Sequence, residues 1–387
     1  MRVTVKSPTN GRPVTAGIPS ASPDAVAEAV VTTAVPPVSF DHEDLVVRRG
    51  RRSGCYVVVA IHSTALGPAL GGVRMWRYEA TIDGARDALR LARGMTYKAA
   101  AAGLELGGGK GVICAPKGPP PAGLDRRALL LDFGDLVESL GGRYITAEDV
   151  GIDAEDLVAI SERTRQVTGL PADHGGSGDP SPFTALGVEA AMRACARERF
   201  GSTDLSSRRI VIAGLGHVGS KLAWRLADAG AELAVSDIDS AKRGLASELE
   251  AEWIEPSKEM LAEGDILAPC ALGGAINAAN LPRLRCEIVC GCANNQLADE
   301  GLADDLAERG ILYAPDFIVN AGGLIHIYRE IGGHSEHEAR QLTLGIEVNV
   351  NRVLTIADER AITPLRAARE LAQERLDAAR QEPATAA

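Results

Sequence analysis

Residues 208–219 read RRIVIAGLGHVG. Ile210 to Ala213 form a short apolar run, read as a buried strand, that ends in a glycine turn and opens a helix, HVGSKLAWRLADAG. A second apolar strand, AELAVS, follows that helix and ends at Asp237, 23 residues after Gly214. Strand, glycine turn, helix, strand and acidic residue in this order form the dinucleotide-binding fingerprint with its context intact. Gly214 permits the tight turn, Gly216 lets the backbone approach a pyrophosphate, and Gly219 lets helix pack on strand. The helix start, at His217 and Val218, offers free N–H groups and a partial positive charge to phosphate. Asp237 is placed to accept ribose hydroxyls and to repel a 2′-phosphate, which favours NAD over NADP. Arg243, a few residues on, is the feature that pulls the other way.

Outward from this motif the chain alternates. DILAPC, EIVCGCA and ILYAPDFIV read as further short strands between helices, the pattern of an α/β unit with a parallel sheet. PFTALGVEAAMRACARERF, a helix after Pro180 and Pro182, opens this unit. Before it lies a different mixture. RSGCYVVVAIHST ends in a strand, and GPALGGVRMW holds tight-turn glycines beside another. DGARDALRLARGMTYKAAAAG is helical, KGVICA a strand, PKGPPPAG a loop, ALLLDFGDLVESLGG a helix, and RYITAEDVG a strand entering a loop. The expected organisation is an extension over 1–36, a substrate-binding unit over 37–182 and a Rossmann unit over 183–354. A last helix, about 355–382, is expected to pack back on the first unit.

Composition narrows the function. A chain of 387 residues is too long for one ordinary core, and 45% apolar with 24% charged residues marks a globular protein. A net charge of −11 argues against a nucleic-acid partner. The longest apolar run, YVVVAI from Tyr56 to Ile61, is far too short to span a membrane, and no secretory signal is visible at the start. Seven scattered cysteines fit a reduced, cytoplasmic protein. Cys286, Cys290 and Cys292 lie close together, but CEIVCGC reads as a buried strand that splits its thiols between two faces, with no histidine nearby. No metal is expected.

A second stretch carries chemistry. Residues 94–110, GMTYKAAAAGLELGGGK, place Lys98 and Lys110 among alanines, glycines and leucines. Burial beside Leu104 and Leu106, and repulsion between the lysines, both lower a lysine pKa. A general base works best with a pKa of about 7–8. Three glycines before Lys110 would let the backbone fold closely around a small ligand. Asp149, after a strand in TAEDVG, could exchange protons or hold an ammonium. Spacing alone leaves open two exposed lysines and a turn-forming aspartate.

GPALGGVRMW, the lysine stretch, GGRYITAEDVG, SGDPSPFTA, APCALGG, CANNQL and ILYAPDFIVNAGG occur in one order. In this the chain resembles the NAD-dependent amino-acid dehydrogenases (leucine, valine and phenylalanine dehydrogenases, with glutamate dehydrogenase more distant) from about residue 40 to 375. The resemblance implies two domains around a cleft, NAD as cofactor, and reversible oxidative deamination of an L-amino acid to its 2-oxo acid with release of ammonia. It also implies a homo-oligomer. It places the carboxylate-binding lysine on Lys98 and the catalytic pair on Lys110 and Asp149. Gly71, Gly72, Met95 and Asn295 are implied to line the substrate. Thr184, Asn294 and Asn320, with His217 and Val218 of the glycine loop, are implied to meet the cofactor. The implied pocket residues Leu70, Ala147, Leu324 and Ile327 are all apolar, so glutamate is disfavoured and a branched aliphatic side chain favoured. An aromatic substrate, and a non-catalytic protein that binds NAD and an amino acid, are the competing readings. The chain departs from the family's usual residues at Arg77, Ala99, Glu105, His217 and His326. Glu105 would raise the pKa of Lys110 if it pointed inward.

Overall fold

A computed structural model describes residues 41–115 and 125–381. The 1–36 extension, the PKGPPPAG segment and the end of the polar tail lie outside them. In chain order the elements are β1 (Asp44–Arg49), β2 (Tyr56–Ser63), β3 (Ala69–Trp76), α1 (Thr81–Ala101), β4 (Gly107–Cys114), α2 (Arg126–Glu138), β5 (Tyr144–Glu148), α3 (Ala154–Ser161) and α4 (Ser181–Phe200). They continue with β6 (Arg209–Ala213), α5 (His217–Asp228), β7 (Glu232–Ser236), α6 (Arg243–Glu248), β8 (Glu252–Trp253), β9 (Ile266–Pro269) and β10 (Ile288–Val289). The last are α7 (Leu302–Glu308), β11 (Leu312–Tyr313), α8 (Asp316–Val319), α9 (Gly322–Gly332), α10 (Glu336–Leu344), α11 (Ile346–Arg360) and α12 (Pro364–Gln381).

Two sheets result, the α/β architecture expected. The first, ordered β1-β2-β4-β3-β5, is mixed: β3 runs parallel to β4 and β5, while β2 runs antiparallel to β1 and β4. The second, ordered β11-β10-β9-β6-β7-β8, is wholly parallel. Strand alternation sends Val58, Ala60 and Val112 to one face of the first sheet, against Ala85, Ala88 and Ala92 of α1. It sends Val57, Val59, Ile61 and Val73 to the other face, against Phe133 and Leu136 of α2. One further apolar cluster joins Leu70 and Ala99–Ala102 of this unit to α4, α9, α11 and α12. Tyr97 Oη donates to Gln373 Oε1 (2.9 Å) and Arg375 Nη1 to the Ala100 carbonyl (3.0 Å), so α12 lies on α1.

Several local expectations are corrected. Gly71 and Gly72 are not turn residues but the middle of β3, and Gly107–Gly109 are not a ligand-wrapping loop but the start of β4. At Gly71 a Cβ would stand 1.8 Å from the Gly109 carbonyl oxygen; at Gly108, 2.1 Å from Thr96 N; at Gly109, 2.6 Å from the Tyr144 ring. These glycines let strands, α1 and Tyr144 approach more closely than any side chain permits. The strand read into CEIVCGC spans only Ile288–Val289, and DFIV is a helical turn rather than a strand. The single helix over 355–382 is two, because Ala361 takes a left-handed φ of 52° and Pro364 starts anew.

Candidate active site

The glycine loop follows β6. Gly214 has φ +110°, and at Gly219 a Cβ would stand 2.0 Å from the Gly214 carbonyl oxygen. At Gly216 a Cβ would meet nothing within 4 Å, so this backbone faces open space. His217 is exposed and Val218 half-buried in the first turn of α5. The Asp237 carboxylate accepts from Leu215 N (2.7 Å) and Asp239 N (2.8 Å), which fixes it beside the loop. Arg243 is engaged elsewhere: it pairs with Glu255 (2.5 Å) and lies over the Trp253 ring. Asn320, which ends α8, donates from Nδ2 to Asn294 Oδ1 (2.9 Å) and to the Cys292 carbonyl (3.2 Å). Its own Oδ1 is buried with no hydrogen-bond partner. Asn295 holds φ 51°, gives its carbonyl to Gly274 N (2.7 Å) and leaves its side chain exposed. Thr184, in the first turn of α4, is buried and donates to the Pro180 carbonyl (3.2 Å).

The charged group lies on the α1 face of the first sheet. Lys110 is only 5% exposed and pairs with Asp149 Oδ2 at 2.9 Å. Burial pushes the Lys110 ammonium below the usual lysine range, against the pull of Asp149, and Arg74 adds to the lowering. Burial alone would raise the Asp149 carboxyl, but Lys110 and then Arg74 outweigh it and hold the group below the usual carboxylate range. Lys98 sits half-buried near the end of α1, with its pKa pushed down to about 8 by burial and by Lys110, while the charge of Asp316 works the other way. Asp316 itself is pushed up by burial, though its Oδ2 accepts from Gln296 N at 2.9 Å. Leu70, Met95, Leu324 and Ile327 fall in one apolar cluster, and Ala147 stands in register with Gly72.

Arg74, Asp87, Tyr78 and Asp316 were not foreseen. Read as a strand, GGVRMW puts Arg74 on the same face as Gly72. Asp87 and Lys98, eleven residues apart on α1, are roughly three helical turns apart and so lie on one side of it. Glu105 does not point inward: it is exposed, and its charge bears on Arg375 and Tyr328. His326 is buried, with Nε2 at 3.1 Å from the Ser177 carbonyl and its ring against Phe183. Cys290 is buried and Cys286 and Cys292 partly so; among the described residues no three metal-ligating side chains converge. No described helix is long and apolar enough to cross a membrane.

A parallel nucleotide-type sheet, joined to a mixed sheet that carries a buried lysine–aspartate pair, defines a two-domain dehydrogenase architecture. Residues 42–166 match the Glu/Leu/Phe/Val dehydrogenase dimerisation domain, and residues 238–383 match Glutamate/Leucine/Phenylalanine/Valine dehydrogenase. The chain is 44% identical to leucine dehydrogenase of Thermoactinomyces intermedius, over 88% of this chain and 93% of that one. It is 42% identical to valine dehydrogenase of Streptomyces coelicolor, over 88% and 94%. The structure of L-tryptophan dehydrogenase from Nostoc punctiforme superposes with a TM-score of 0.78 at 38% identity, covering 88% of this chain and 98% of that one. The chain belongs to the Glu/Leu/Phe/Val dehydrogenase family and is an amino-acid dehydrogenase.

Proposed function

We propose that the protein catalyses the reversible, NAD-dependent oxidative deamination of a branched aliphatic L-amino acid. The observation that carries this is the buried Lys110–Asp149 pair beside a second lysine, Lys98, and an apolar cluster that includes Leu70, Met95, Leu324 and Ile327. Lys98 binds the substrate carboxylate as a point charge. Asp149 takes a proton from the substrate ammonium. Bound NAD would supply the hydride acceptor for the α-hydrogen. Lys110, deprotonated, takes a proton from the water that adds to the resulting imine, and collapse of the adduct releases ammonia. The chain's residues fit the cofactor. The Gly216 backbone is open to a pyrophosphate, Asp237 is fixed for the ribose, and the orphaned Oδ1 of Asn320 suits an amide donor. Arg243, the residue that would favour a 2′-phosphate, is engaged by Glu255 and Trp253.

Residues 37–182 with the final helix serve as the substrate unit and 183–354 as the nucleotide unit. The dimerisation domain named for the first match supports a homo-oligomer, and seven free thiols support a reducing, cytoplasmic setting. The test is NADH formation with a panel of L-Val, L-Leu, L-Ile, L-Phe, L-Trp, L-Ala and L-Glu. Fastest turnover on the aliphatic members is expected. Fastest turnover on Phe or Trp would transfer the reading to the aromatic class, which the likeness to tryptophan dehydrogenase favours. No turnover with NAD still bound would leave a binding protein.

Two further outcomes are expected. Affinity for a 2-oxo acid, measured with NADH present, should be flat below about pH 8 and fall as pH rises beyond it, because the protonated Lys98 has its pKa near there. Lys98→Gln should abolish that limb; an unchanged limb would remove Lys98 from the carboxylate site. Leu324→Ala should shift the kcat/KM ratio of Phe over Val upward by roughly 10- to 200-fold, the range associated with small changes in pocket volume. An unchanged ratio would take Leu324 out of the pocket.

A further inference from the structure

We propose that Arg74 is a positioning residue that divides the work of the two Asp149 oxygens, sharing Oδ2 with Lys110 and so reserving Oδ1 for the substrate ammonium. This rests on the proton-accepting role given to Asp149 above. Lys110 Nζ and Arg74 Nε both lie 2.9 Å from Asp149 Oδ2. Among the described residues Oδ1 accepts no hydrogen bond. An oxygen already facing two cationic donors is a poor third acceptor, so the free oxygen is the one open to an ammonium.

Arg74 is itself held from behind. Its Nη1 donates to Asp87 Oδ2 at 2.9 Å, and that oxygen also accepts from Tyr78 Oη at 2.7 Å. The other Asp87 oxygen accepts from Arg90 Nη2 at 2.8 Å. The guanidinium is therefore stretched between two carboxylates on different elements, β3 to the loop after β5 and β3 to α1. A planar fork spans them and cannot turn without losing one; an ammonium is a point charge on a flexible stem and lacks that fixed geometry. The network fixes the Asp149 carboxylate plane from a helix that also carries Lys98, so proton acceptor and carboxylate anchor share one frame.

The charged groups facing this centre are Lys98, Lys110, Asp87, Asp149 and the neighbouring Glu148. Arg74 lowers both Asp149 and Lys110. Removing its charge therefore raises both, and the acid limb of the pH–kcat profile moves to higher pH.

Arg74→Gln is expected to lower kcat on the order of 10²-fold, the scale of a misplaced reacting group, to move the acid limb to higher pH, and to leave KM and NAD binding near wild type. Arg74→Lys, which keeps the charge without the fork, should restore the limb but not the full rate. Arg74→Gln with the wild-type profile, or with a loss confined to melting temperature or KM, overturns the proposal. If Arg74→Gln does not fold, Asp87→Asn decides: a severalfold drop in kcat supports the network, and wild-type kcat overturns it. Wild-type protein without amino-acid turnover would instead be a failure of the function proposed above.

Discussion

Lys110→Ala is expected to lower turnover by roughly 10²–10⁴-fold, the usual contribution of a positioned general base, while NAD binding stays near wild type. The argument starts from burial. With 5% of its surface exposed, Lys110 is stripped of the water that favours its charged form. Asp149 restores part of that loss, and Arg74 takes part of it away. The outcome is an ammonium that gives up its proton more readily than a surface lysine. Alanine leaves no group to take the proton from water. The fold should survive, because Asp149 keeps its pair with Arg74 at 2.9 Å. The stability loss should therefore fall below the roughly 3–5 kcal/mol seen when a buried charge is left with no partner. Single-turnover NADH formation together with an NAD titration checks this. Turnover near wild type would mean that another group activates the water.

Gly71→Ala is expected to be the most damaging single methyl in the first sheet. Its Cβ would lie 1.8 Å from the Gly109 oxygen and 2.7 Å from the Gly109 carbonyl carbon. Both are backbone atoms of β4, so no side chain can swing aside. β3 is paired on both edges, Gly71 with Thr146 of β5 and its neighbour Leu70 with Gly108 of β4. The Gly71 carbonyl also accepts the Tyr144 hydroxyl at 2.5 Å. Relief requires the strands to part, which separates Lys110 on β4 from Asp149 after β5. A loss at the upper end of the roughly 1–3 kcal/mol typical of overpacking, or beyond it, is expected in denaturant unfolding, together with loss of turnover. Gly94→Ala, at an open helical position where a Cβ meets nothing within 4 Å, should be stabilising by about 1 kcal/mol and serves as the control.

These two positions show what could be read in advance. The nucleotide loop was legible because all its determinants sit within thirty residues of chain: an apolar strand, three spaced glycines, a helix start and Asp237. The lysine pair was legible because ammonium groups among alanines stand out. The glycines beside it were misread. Glycine disfavours strands, so Gly71, Gly72 and Gly107–Gly109 looked like turns and a flexible cradle. What overrides the propensity is tertiary: Thr96, Tyr144 and Phe133 occupy the space that side chains at 108, 109 and 111 would need. Nothing local in the sequence announces those neighbours. The same holds for Arg74, whose partners Asp87 and Asp149 lie 13 and 75 residues away and meet it only after two strands and a helix are in place. Asp316 is similar, since its bearing on Lys98 depends on the second sheet being docked. The break at Ala361 went unseen because alanine in a left-handed conformation leaves no compositional trace.

The packing of α12 on α1 bears on how the chain is born. Tyr97 meets a partner 276 residues further on, at Gln373. The helix that holds Lys98 is thus made well before its cover. At synthesis rates of about 5–20 residues per second the interval is roughly 14–55 seconds. For that time the small apolar stretch Ala99–Ala102 waits without α12, beside strands already able to pair. A nascent chain halted near residue 360 would keep that surface open.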